Sequence, residues 1–384
     1  MNKIYLLTAA FAVMASLSGC SDTELASIDT AQEKTPIGFH TVGSQMGSRA
    51  TIIDNSNLTD YSFNVYAFKN DNGTDGDLFM GTNDEVHGHS GVKISHNGSN
   101  WNYANPENLK YWPTSALNFY AVSPVSDNNI FSWRISNSTK EINVATYDEY
   151  GHRDDPDYSD YPKNVDVMYA ISQNQTKTPS NGGTVHMQFR HILSQVAFKA
   201  RTETPNMEVT IEGIEIYNFY FSGTFTLPTT DVPPTTQDNW KYPNVGGYTT
   251  SGFTAVKGKS IDVRNTDTPI SMDEPMLFIP QKLTKWVTTA ASPKTTGQAN
   301  NDKQSYLEIS CKIKLDGSYR IGDKNNFGKL YVPFGADWQP GKRYIYTLVF
   351  GGGYDVNGNS ILTPINFTAD TEEWGDAPND LVTE

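Results

Sequence analysis

Cysteine is nearly absent: the 384 residues contain two, Cys20 and Cys311, too few for a disulfide framework, so stability must come from a packed core. Basic residues are also scarce, with 29 Lys and Arg against 43 Asp and Glu, a net charge of −14. Phosphate backbones demand clustered cations, and no Lys/Arg stripe occurs, which argues against nucleic acid as a partner. No long amphipathic helical pattern is present, and no apolar run reaches the ~20 residues needed to span a bilayer. Catalytic signatures are missing too. There is no GxSxG elbow, HExxH pair or P-loop, and the seven histidines scatter with no base beside a nucleophile. Two facing carboxylates would suffice for a glycosidase, but spacing cannot reveal them, so the expectation of a non-enzymatic chain without cofactor rests on absence of pattern.

What is present begins at the N-terminus. Lys3 precedes an apolar stretch from Ile4 to Leu17 that reads as a secretory signal. It ends in LSGC, Leu17 to Cys20, which resembles the lipobox of bacterial lipoproteins. Cys20 would then be acylated and become the mature terminus, held on a membrane at ~0.8 kcal/mol per buried methylene. Loss of residues 1–19, whose one charged residue is Lys3, would take the net charge from −14 to −15. Ser21, Asp22 and Glu24 follow at once, a short acidic run after the cysteine.

Short alternating segments separated by Gly, Pro, Asn, Asp and Ser dominate from Tyr61 to Phe367, an all-β signature. The clearest strand is Tyr306 to Leu315, where Leu307, Ile309, Cys311 and Ile313 share one face. Cys311 is therefore expected in the core rather than as a reactive thiol. Further strands are predicted over Phe63–Phe68, Leu117–Val122, Val165–Ser172, Val185–Phe189, Gln195–Ala200, Glu208–Tyr217, Gly223–Leu227, Met276–Ile279, Leu330–Val332, Tyr344–Phe350 and Ile365–Thr368. Long polar connections are expected at Asn70–Ser99, Ser136–Asn164, Thr229–Gly252 and Pro293–Gln304. The length suits two domains with a boundary near Phe189–Ser194: residues 50–190 and 191–384, after a signal at 1–19 and an anchored segment at 20–49.

Residues 36–51, PIGFHTVGSQMGSRAT, put one apolar strand ahead of a polar, protease-accessible stretch. Ile37, Phe39 and Thr41 alternate with Gly38, His40 and Val42, and the stretch ends at Arg49 and Ala50. For metals, His87 and His89 in VHGHSG with His96 nearby offer ligands two apart, but the Gly-rich context favours a solvated loop. Residues 152–160, HRDDPDYSD, gather Asp154, Asp155, Asp157 and Asp160, which can hold calcium although the EF-hand pattern is absent. Trp101, Trp112, Trp133, Trp240, Trp286, Trp338 and Trp374 are expected to serve mainly as core.

Several phrases in order resemble one family. The lipobox, IGF at 37–39, SRAT at 48–51, NVYAF at 64–68, YWP at 111–113 with LNFYAVSP at 117–124, DVMYA at 166–170 and MQFRHILSQVAFKA at 187–200 are similar to the fimbrillin-like proteins. FGADWQPGKRYIYTLVF at 334–350 and INFTADTEEW at 365–374 resemble that family's last strands. The resemblance implies two tandem transthyretin-like β-sandwich domains in a type V fimbrial subunit, exported as an outer-membrane lipoprotein and found in the fimbrium at the cell surface. It implies proteolysis at Arg49–Ala50, removal of the strand carrying Ile37, Phe39 and Thr41, and capture of a donor strand from another subunit. Partners would be other fimbrial subunits, the membrane through the lipid, and a host or bacterial surface ligand. The alternative is a surface lipoprotein that never polymerises and binds glycans through exposed aromatics.

Overall fold

The computed structural model describes residues 34–42, 53, 57–82, 91–125, 131–146, 165–256, 260–271, 276–288, 295–351, 353–354, 356–357, 360–362 and 366–373. Residues Cys20, His87, His89, Arg49, Ala50, Trp374 and the aspartates between 154 and 160 lie outside them. Among the described residues no helix is long and apolar enough to cross a membrane.

The chain is all-β, as the alternating segments predict. Its first part supplies β1 (Gly38–Val42), β2 (Phe63–Asp71), β3 (Thr74–Met80), β4 (Val92–His96), β5 (Trp101–Tyr103), β6 (Leu117–Ser123), β7 (Phe131–Ile135), β8 (Lys140–Ala145), β9 (Met168–Gln175), β10 (Thr184–Gln188) and β11 (Arg190–His191). Most of these form one sheet in the order β11-β9-β6-β2-β4-β5, with β3 also paired to β2. Both faces of this sheet are covered. On one side Phe63, Val65, Ala67, Phe119, Ala121, Met168 and Ala170 pack against Phe39 of β1, Ile37 just before it, and Val185 and Met187 of β10. On the other, Tyr66, Phe68, Tyr120, Val122, Tyr169 and Ile171 meet Phe131, Trp133, Ile142 and Val144 of β7 and β8, with Phe225 and Trp240. Two-sided cover explains why every residue of β6 is buried, a pattern of continuous apolar runs rather than alternation.

The four-stranded layer formed by β7, β8, Ser222–Thr226 and Trp240–Lys241 crosses the midpoint of the chain, because Phe225 stands opposite Ile142 in antiparallel register. Beyond it, β12 (Ser194–Thr202) runs parallel to Lys342–Phe350, whose far side pairs antiparallel with Asn366–Glu373. A second sheet is built on β13 (Met207–Tyr217) against Gln304–Leu315 over ten paired positions with one register shift. The two sheets enclose a core of Val196, Phe198, Val209, Ile211, Leu307, Ile309, Cys311, Ile313, Trp338 and Tyr346. Cys311 sits there fully buried, and burial pushes its thiol up to about 12.

Several stretches expected as connections carry structure. Asn70–Ser99 contains β3 and β4, Ser136–Asn164 contains β8, and Pro293–Gln304 holds a short helix, Thr296–Asn301, closed by a capping box between Thr295 and Gln298. These segments are polar because only every second residue is needed inside. In β4 Val92 and Ile94 are buried while Lys93 is exposed.

Candidate functional site

The segment that begins the described chain lies in a slot. Ile37 is 1% exposed and Phe39 7%, while Thr41 is half-buried, so the period-two pattern places this edge of the sequence in the core. Phe39 makes edge-on contacts with Phe63, Tyr103 and Phe119 at 6.0, 6.0 and 6.2 Å between ring centroids. Each such aromatic pair adds about 0.5–1.5 kcal/mol beyond area burial.

The backbone is held mainly from one side. β1 runs parallel to β10, Gly38 opposite Thr184 through Val42 opposite Gln188, and among the described strands β10 is its one ladder partner. At the start of the slot, the Gly38 N–H donates to Gly183 O at 3.0 Å and the Ile37 N–H to Lys110 O at 2.9 Å. The Trp112 N–H donates to Thr35 O, and its indole N–H to Gly183 O at 2.8 Å. Lys177 donates to the Thr35 hydroxyl, and the Tyr103 hydroxyl donates to Ile37 O at 3.1 Å. Burial pushes the Tyr103 phenol up to about 12, which keeps that donor protonated. At the far end the Phe189 N–H donates to Val42 O at 2.9 Å. Gly183 is required where it stands: its φ is +87°, and a Cβ there would meet Thr35 Cγ2 at 2.8 Å and Pro36 O at 3.1 Å.

The chain is pinned again at Ile53. Its N–H donates to Asp166 Oδ2 at 3.0 Å, and Asp166 Oδ1 lies 2.9 Å from His191 Nδ1. Both side chains are buried, Asp166 just ahead of β9 and His191 in β11. Arg49 and Ala50 thus fall in sequence between two fixed points, Val42 and Ile53. Nothing in the sequence marked Asp166 and His191 as a pair, since they are joined only by the pairing of β11 with β9.

Of the histidines in the spacing-based reading, His87 and His89 lie outside the described residues and His96 is described. His96 packs against Trp101 at 5.2 Å, and its Nδ1 accepts the Gly98 N–H. His40 instead faces His186 across the β1/β10 ladder, with ring centroids 5.1 Å apart. Partial burial and then the nearby His186 lower the His40 pKa. Among the described residues no three of His, Cys, Asp and Glu converge. Aromatic platforms are few as well. Trp133, Trp240, Trp286 and Trp338 are buried, Trp101 and Trp112 half-buried, and Tyr111 and Tyr319 are the exposed large aromatics among the described residues.

A family model described as fimbrillin-like matches residues 48–374. No curated protein matches the chain. Among solved structures, the chain is similar to a candidate cell adhesion protein of Parabacteroides distasonis, at 10% identity and a TM-score of 0.48, covering 89% of this chain and 97% of that one. It is similar to another from Bacteroides ovatus, at 11% identity and a TM-score of 0.46, covering 90% and 99%. The tip fimbrial protein Mfa3 of Porphyromonas gingivalis, with a C-terminal truncation, aligns at 11% identity and a TM-score of 0.39, covering 85% and 97%. With the family model spanning most of its length, the chain belongs to the fimbrillin-like family.

Proposed function

We propose that the chain is a structural and adhesive subunit of a type V fimbria. It is exported as an outer-membrane lipoprotein through Cys20, cleaved at Arg49–Ala50, and assembled by exchange of β1 for a strand of the next subunit. Its described strands would be divided between two tandem β-sandwich domains. The observation that carries this reading is the seating of Ile37 and Phe39 in a core groove by a strand with one ladder partner. Removal of such a strand exposes an apolar stripe and the unpaired edge of β10, a surface suited to another extended chain. Cutting between Val42 and Ile53 would leave the body anchored by Asp166 while β1 remained held by non-covalent contacts alone.

Partners are then other fimbrial subunits, the membrane before assembly, and a surface ligand for the finished fibre. The C-terminal strand bears on which segment is donated. Asn366–Glu373 already pairs over eight positions with Lys342–Phe350, so a donor from this end would have to leave its own sheet or lie beyond it. The glycan-binding alternative draws no support from the tryptophans, which are buried or half-buried wherever described.

The test is limited trypsin digestion of the purified precursor. A cut after Arg49, followed by ladders that resist boiling in detergent, is the expected result. A protein trimmed at that bond that stays monomeric and keeps β1 in place would refute the assembly mechanism. Mass spectrometry of the mature N-terminus would report both the Cys20 lipid and a new start at Ala50.

A further inference from the structure

His40 and His186 are separated by 146 positions and meet only because β1 and β10 run side by side in parallel. Both are exposed, on the face opposite Phe39 and Val185. The neighbouring positions on that face are Gly38, Val42, Thr184 and Gln188, none of which carries a charge. Among the described residues the pair therefore stands exposed on a strip of uncharged ladder positions.

Its spacing is informative. A cation bound to one nitrogen of each ring at ~2.1 Å lies about 3.2 Å from either ring centre. Ligands subtending 90° to 110° at the metal then put the two ring centres roughly 4.5–5.2 Å apart. The observed separation is 5.1 Å, with the rings inclined by 53°. Cross-strand register sets these two residues directly opposite one another, so the ladder itself holds the rings at this separation. Imidazole suits Zn²⁺ and Cu²⁺, and affinity for such ligands rises to a maximum at Cu²⁺.

We propose that His40 and His186 form a two-imidazole site for a divalent cation of the Zn²⁺ or Cu²⁺ class, with water in the remaining positions, and that the bound ion staples β1 to β10. The site does not rest on the fimbrial reading, since it needs only the paired strands. If β1 is the exchanged strand, the ion acts as a brake on its release.

The test uses the untagged, metal-free full chain before any cleavage. Zn²⁺ is titrated by calorimetry, and Cu²⁺ by electron paramagnetic resonance, in which nitrogen hyperfine splitting counts the imidazoles. The wild type should bind one ion with two nitrogen ligands. H40N or H186N should weaken binding on the order of a hundredfold, because loss of either ring removes the chelate. Both side chains are exposed, so unchanged metal-free thermal midpoints are expected and check that each variant folds. H96N and the pair H87N/H89N should bind as the wild type does. Zn²⁺ should slow hydrogen exchange at the Gly38 and Phe189 amides, whose bonds flank the pair, and this slowing should vanish in H186N. The proposal is overturned if H40N/H186N binds like the wild type, if binding is lost only in H87N/H89N, or if Zn²⁺ leaves the two amides unaffected. Each outcome is read on the uncleaved monomer and is independent of whether trimmed subunits polymerise.

Discussion

Replacing Phe39 by alanine isolates the grip of the slot on β1. The ring is 7% exposed and touches Phe63, Tyr103 and Phe119. Phe→Ala changes in cores cost about 3–5 kcal/mol. β1 and the residue just before it are anchored by two deeply buried side chains, Phe39 and Ile37, each worth about 1.5–3 kcal/mol in burial. The substitution therefore removes half or more of the apolar hold, and the cheaper response is for β1 to detach than for the whole fold to open. At 1.4 kcal/mol per tenfold, a loss near 3 kcal/mol raises local opening by about a hundredfold. Native-state hydrogen exchange reads this directly. The Gly38 N–H, bonded to Gly183 O, and the Phe189 N–H, bonded to Val42 O, mark the two ends of the strand. Both should exchange about a hundredfold faster in F39A, while amides of β2 and β6 keep their rates. If the two reporters stay slow, β1 is not held by its aromatic anchor. If β2 and β6 accelerate equally, β1 is part of one cooperative unit, and a separable strand is ruled out.

Three further outcomes follow from the same contacts. Asp166→Ala removes the acceptor of the Ile53 N–H and the buried hydrogen-bond partner of His191, and at about 1–3 kcal/mol for each buried group left unsatisfied it should destabilise the fold by about 2–5 kcal/mol in urea denaturation. Acid should loosen β1: the folded pKa of His40 is lowered from 6.5, so its contribution is present above that value and is lost as the pH falls through the folded pKa. Exchange at Gly38, corrected for the intrinsic rate, should rise between pH 7 and pH 5 in the wild type and not in H40N. Cys311, raised from 9.0 to about 12 by burial, should resist iodoacetamide at pH 9 in the native protein and react after denaturation. The sign is opposite to that for His40, since the unfolded chain loses this proton first and stability falls as the pH climbs past about 9.

Legibility in the sequence followed the solvent. Gln304–Leu315 was readable because one face is wet, so Leu307, Ile309, Cys311 and Ile313 alternate with polar residues. In β2 and β6 alternation is lost because both faces are covered, and only the apolar density of NVYAF and LNFYAV gives them away. β3 was hidden for the opposite reason, since Thr74, Asp75, Gly76 and Asp77 carry no apolar signal and only Met80 is fully buried. At the slot, Ile37 and Phe39 were legible from their spacing. Their partners were not, because Tyr103, Phe119 and Val185 come from distant strands. The same holds for Asp166 with His191 and for His40 with His186, whose pairing is a product of strand order and leaves no local pattern.

The parallel course of β1 and β10 gives the groove an arrow. A segment that reproduces this register, with an aromatic ring at the Phe39 position against Phe63 and Phe119, runs parallel to β10. If subunits assemble by the exchange proposed above, each filling the next one's groove, they would all point alike, and such a filament would have two unlike ends: one showing an empty socket, the other an unspent plug. Growth and capping would then be chemically distinct events, and a short free peptide with the sequence of β1 should poison only the socket end.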